Sequence, residues 1–152
     1  MVDFCLNWAR HPEGGFCYAV TADGRSWPAA GSSTDLRQWW VQFEAVHALH
    51  ILSRHGSVDR GARAKYLRAC EEQWAFVRSR FFDDRYGGIR ELPLDFAPRY
   101  QLDILRQRIF RRRPSLSLKS HSWKHPYHEV AALLALAFDG QGPGDHAMVA
   151  ES

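Results

Sequence analysis

His11-Pro12-Glu13-Gly14-Gly15-Phe16 is the stretch that organises this chain, because it returns about 73 residues later as Asp84-Arg85-Tyr86-Gly87-Gly88-Ile89. In each copy a polar or charged turn and a Gly-Gly pair follow a helical segment, and a loop then leads to a helix announced by tryptophan. Such a unit is a helix, a Gly-Gly turn with a short β-hairpin, and another helix. Stacked hairpins of this kind are how α/α toroids are assembled. There is no long βαβ rhythm and no dinucleotide-type glycine pattern, which argues against a Rossmann fold. The expected fold class is all-α, part of an α/α toroid.

Working outward, residues 37–54 carry Val41, Ala45, Ala48, Leu49 and Leu52 at i, i+4, i+7, i+8 and i+11, with Ser33, Thr34 and Asp35 ahead of them as capping side chains. That spacing predicts a helix with those residues as its core stripe, ended by Gly56 and Ser57. Residues 59–81 predict a second helix, with Tyr66, Cys70, Trp74, Val77 and Phe81 inside and Arg63, Arg68, Glu71, Glu72 and Arg78 largely elsewhere. A third helix is expected at 127–138. After Glu129 its residues 130–138 leave no polar face, so it is expected to be surrounded. The glycine-rich stretch 140–152 has turn chemistry and little core potential, so the domain is expected over 1–139 with a frayed tail at 140–152.

The chain has 152 residues, 45% apolar and 24% charged, the balance of one soluble globular domain. A net charge of +3 does not by itself imply a polyanion partner. The basic residues are concentrated, however. Residues 99–119 hold Arg99, Arg106, Arg108, Arg111, Arg112, Arg113 and Lys119 against Asp103 alone, so a solvated basic insertion is expected at about 95–119. Apart from Phe110, aromatics are not interleaved with these arginines, and no nucleic-acid module is recognisable, so nucleic acid is not the expected partner. Cys5, Cys17 and Cys70 are odd in number and lack a CxxC spacing, which suits free thiols. Asp3 stands where a signal peptide would carry basic residues, and the longest apolar run, 130–138, is far short of the roughly 20 residues of a membrane helix. The expected location is the cytoplasm.

Two constellations carry chemistry. In WWVQFEA, residues 39–45, Trp40, Glu44, His47 and Ile51 share one helix face, about 100° from the stripe that contains Val41. That helix can pack on one side and present Trp40 and Glu44 at the edge of a cavity. The plainer alternative is that Trp39 and Trp40 are core aromatics and Glu44 a solvated charge. In WKHPYH, residues 123–128, Pro126 fits a first helical turn, leaving Trp123 in the loop and His128 at the mouth of the helix, where an imidazole suits general acid/base work. The alternative is a structural histidine with Trp123 plugging the helix end. His121, His125 and His128 have a spacing that converges on zinc in a continuous helix, but Pro126 interrupts it, so no metal is expected.

Together, WWVQFEA at 39–45 and WKHPYH at 123–128, with a Gly-Gly turn before each and EEQWAFV at 71–77 between them, closely resemble the C-terminal part of the N-acylglucosamine 2-epimerase family. That family includes cellobiose 2-epimerases and ketose/aldose isomerases. The resemblance covers residues 3–139. It implies an (α/α)6 barrel with a sugar in a central pocket, of which this chain supplies about two hairpins. It also implies that His128 exchanges a proton at C2 of the ring-opened sugar through a cis-enediolate. Trp40 and Trp123 would then wall or stack on the sugar, and Glu44 would be the pocket carboxylate; Trp39 and His47 are secondary candidates. No cofactor is required for such proton transfer, and the implied partner is a small-molecule sugar.

The chain also departs from the family pattern. Family enzymes use a second catalytic histidine in an HxxE helix and an arginine, both N-terminal to the WWxQxE helix. Here 38 residues precede Trp39, and HxxE occurs nowhere. Only half of the acid/base pair is therefore expected. The rival expectation is a noncatalytic fragment or partner-binding protein whose inner helices are covered by a second copy or a completing chain.

Overall fold

The computed structural model describes residues 1–23, 37–85, 87–90 and 126–138. The segment 95–119, the tail 140–152, Trp123, and the capping candidates Ser33, Thr34 and Asp35 lie outside them. Among the described residues the chain is all-α, and no helix is long and apolar enough to cross a membrane. Helix α1 is Val2–Phe4, continued by one π-helical turn over Cys5–Ala9. The others are α2 (Trp39–Arg54), α3 (Arg60–Arg80) and α4 (Tyr127–Ala137).

Helices α3 and α4 begin for local reasons. Asp59 caps α3 by accepting a hydrogen bond from the Ala62 backbone N–H at 2.9 Å, satisfying a donor that the first turn cannot. The α3 stripe is as expected: Tyr66, Cys70, Val77 and Phe81 are buried, Trp74 is half-buried and packs edge-on against Phe82, and Arg68, Glu71, Glu72 and Arg78 are exposed. Pro126 opens α4, where its missing N–H removes nothing that the helix needs.

Both Gly-Gly turns close as short hairpins, the second with one residue more. Gly14, Gly15, Gly87 and Gly88 all have positive φ, between 70° and 94°, a conformation in which a side chain is strained. In the first turn the His11 N–H donates to the Gly15 carbonyl at 2.9 Å and the Cys17 N–H to the Ala9 carbonyl at 2.8 Å. In the second, the Asp83 N–H donates to the Gly88 carbonyl at 3.1 Å and the Arg90 N–H to the Phe81 carbonyl at 2.8 Å. Antiparallel bridges Arg10–Phe16 and Phe82–Ile89 complete the two short hairpins.

The core differs from expectation on α2. Of the stripe Val41, Ala45, Ala48, Leu49 and Leu52, only Leu49 is buried; Ala48 is exposed and the other three are half-buried. The buried face is Trp39, Gln42, Phe43, Val46, Leu49 and His50, which packs against α3 and the first turn. A polar residue lies at the centre of that face, which is why its periodicity is hard to see. Gln42 is fully buried, and its side-chain amide pairs with Phe16 as a strand would. Its Oε1 accepts from the Phe16 N–H and its Nε2 donates to the Phe16 carbonyl, both at 2.8 Å. Gln73 of α3 then donates to Gln42 Oε1 at 3.1 Å, tying turn, α2 and α3 together.

Helix α4 packs beside α2. Glu44 meets His128 and, one to two turns on, His50 meets the Ala135 carbonyl, so the two helices run in the same direction. The expectation that α4 is surrounded is not met. Glu129 and Ala132 are buried, but Val130, Leu134 and Phe138 are 47%, 48% and 61% exposed.

Candidate functional site

The parallel packing of α2 and α4 brings together residues 84 positions apart. Glu44 stands in the second turn of α2 and His128 in the first turn of α4, and Glu44 Oε1 lies 2.6 Å from His128 Nδ1. A carboxylate only accepts, so the contact places the proton on Nδ1 and leaves Nε2 as the basic nitrogen. The two side chains are 42% and 32% exposed, accessible enough for a ligand to reach the pair.

Trp40 adds an aromatic wall. Its ring centroid is 5.9 Å from that of His128, with the planes tilted by 37°. Its indole N–H donates to Gln38 Oε1 at 2.7 Å, which fixes the rotation of the ring. Tyr18, on the segment after the first Gly-Gly turn, packs edge-on against Trp40 with ring centroids 5.8 Å apart. The arrangement is therefore a carboxylate–imidazole pair beside a clamped indole.

The sequence candidates divide cleanly. Trp40, Glu44 and His128 converge, whereas Trp39 is 4% exposed and belongs to the core on another face of α2. His47 stands one turn beyond Glu44 and is half-buried. Trp123 and the histidines at 121 and 125 lie outside the described residues. Among the described residues no group of three or more metal-ligating side chains is present.

Four supporting residues escaped the sequence reading. Gln38 and Tyr18 orient Trp40. His50 is buried at the α2–α4 seam; burial, followed by the nearby Arg54 and His47, holds its imidazole below the usual histidine range. Arg37 is 2% exposed, with its guanidinium 3.1 Å from the Gly14 carbonyl, 3.3 Å from Glu13 and over the Phe76 ring. The buried Gln42 was within the quoted motif, and the i, i+3, i+7 spacing of Trp39, Gln42 and Val46 is the signal that it faces inward.

Compared with known proteins, the chain matches no protein-family model, and no curated protein matches it.

Proposed function

We propose that this chain carries one half of a sugar 2-epimerase or aldose/ketose isomerase site, acting by proton transfer at C2 of a ring-opened sugar, and that its helices are part of an (α/α)6 toroid. The observation that carries the reading is the 2.6 Å contact between Glu44 and His128 beside Trp40. In this reading Glu44 acts on His128 rather than on the sugar, which revises its expected role as a pocket carboxylate. It keeps the Nδ1 proton in place and balances the imidazolium formed when Nε2 accepts a proton.

The step conserves atoms and electrons. His128 Nε2 takes the C2 proton, the C–H electron pair moves into the C1–C2 bond, and the carbonyl oxygen becomes the enediolate oxygen. A proton delivered by water to the opposite face of C2 gives the epimer, the hydroxide left behind taking the proton held on His128; a proton returned by His128 to C1, with the O2 proton passing to O1, gives the ketose. Nothing is oxidised, and no cofactor enters. The indole of Trp40 suits the C–H face of a sugar.

Incubation of the chain with N-acetylmannosamine, mannose or cellobiose in D2O, followed by NMR of C2, tests this directly. Exchange is expected, with a His128→Ala loss of roughly 10²–10⁴-fold and a smaller loss for Glu44→Gln. Exchange no faster than in the His128→Ala control would overturn the catalytic reading.

The second reading is a noncatalytic partner-binding protein, favoured by the exposed apolar face of α4 and by the absence of HxxE from the sequence. The exchange experiment separates it from the first.

A further inference from the structure

Polar contacts tie α4 to α2 toward both of its ends, and the two ties have opposite characters. At the start of α4, His128 meets Glu44 at 2.6 Å, with both side chains partly open to water. A proton added to His128 turns that contact into an ion pair and strengthens it. Toward the other end, the imidazole of His50, 7% exposed, donates to the Ala135 carbonyl. A proton added there places a whole charge inside the seam between the two helices.

The surroundings of His50 decide how well that charge is tolerated. On its own helix, His47 and Arg54 stand one turn to either side. From α3, Cys70 reaches this stretch of α2; its thiol donates to the Val46 carbonyl at 3.6 Å and is kept protonated by burial, so it brings no negative charge. On α4 the buried carboxylate is Glu129, six residues before Ala135 and so about 9 Å away along the helix, nearer the Glu44–His128 end. Burial first, then Arg54 and His47, hold the His50 imidazole below the usual histidine range.

We infer that His50 is a pH-dependent pin for α4: neutral, it holds the C-terminal half of that helix against α2, and on taking a proton it lets that half go, while Glu44 and His128 keep the first turn in place. Undocked, His50 meets water and takes a proton in the ordinary histidine range; docked, it takes one only at lower pH. Docking is therefore at full strength well above about pH 6.5 and weakens as the pH falls below it. Release is local, because an 11-residue helix is marginal without its packing and the freed half frays without carrying α2 and α3 along. With that half free, α4 no longer fixes the direction from which His128 meets Glu44. The inference concerns docking alone and stands whether or not the pair turns over a sugar.

The test is amide hydrogen exchange of the full chain, resolved by NMR, between about pH 7.5 and about pH 5.5 with no sugar present. After correction for the intrinsic rate, protection at residues 133–138 is expected to fall about three- to tenfold over that range, as release is coupled to proton uptake. Residues 66–77 of α3 should keep theirs. His50→Gln keeps an N–H donor but takes no proton, so it is expected to abolish the fall, as is His50→Asn. A wild type whose protection at 133–138 is indifferent to pH overturns the inference, as does a variant that keeps the fall or an equal fall in α3. The ring resonances of His50 in the wild type need no variant: a titration midpoint at or above about 6.5, that of an unperturbed histidine, overturns it as well.

Discussion

The two Gly-Gly turns share a positive φ at both glycines and closure by a short hairpin, the second one residue longer, but their surroundings are opposite. The first is built into the core: Gln42 pairs with Phe16, Arg37 reaches the Gly14 carbonyl, and Phe76 lies under both glycines. A Cβ on Gly15 would overlap the Phe76 ring and sit 2.7 Å from Gln42 Oε1. The second turn is held from within. Arg90 bridges to the buried Asp83 at 2.9 Å and donates to the Phe82 carbonyl at 2.7 Å, while a Cβ on Gly87 would meet nothing within 4 Å. Gly15 therefore has to be glycine for both conformation and space, and Gly87 for conformation alone. A repeated sequence motif can thus conserve a backbone path while its anchoring diverges.

That contrast can be broken at three points. Gly15→Ala combines a strained φ with overpacking and is expected to cost roughly 3–5 kcal/mol, read as a lowered urea midpoint. Gln42→Leu keeps the volume but leaves the Phe16 N–H and carbonyl buried and unpaired, at about 2–4 kcal/mol in the same titration. An unchanged midpoint would mean that water or another side chain already serves Phe16. Gly87→Ala should cost only about 1–2 kcal/mol, because its φ of 70° is the sole obstacle. Thermal melts in which Gly87→Ala unfolds at a lower temperature than Gly15→Ala would contradict the difference between the turns.

Much of the fold was legible. The α3 stripe, the three long helices to within about two residues at each end, and the turns at both Gly-Gly pairs follow from local patterning. The α2 core face was misjudged because that helix has two apolar faces. The run Val41, Ala45, Ala48, Leu52 is the more regular, yet the face that enters the core is the one carrying Gln42, whose hydrogen bonds to Phe16 make a polar residue acceptable inside. The outer face of α4 was misjudged for a related reason: periodicity records how apolar a face is, not whether anything lies against it. In the candidate site, helical spacing pointed to Trp40 and Glu44 together, and residue type to His128 apart from them. That Glu44 serves His128, and that Trp39 belongs to the core while Trp40 stands at the site, required the packing of α2 on α4.

The sequence by itself determined what is local. Gly14-Gly15 and Gly87-Gly88 impose left-handed backbone, Asp59 and Pro126 open helices, and 3.6-residue periodicity marks α3, because each of these depends on sterics or hydrogen bonds within a few residues. Tertiary structure alone decided which of the two apolar faces of α2 was buried and which carboxylate met the imidazole of His128. Those outcomes depend on the surface that arrives from elsewhere in the chain, and for Glu44 and His128 it arrives across 84 positions.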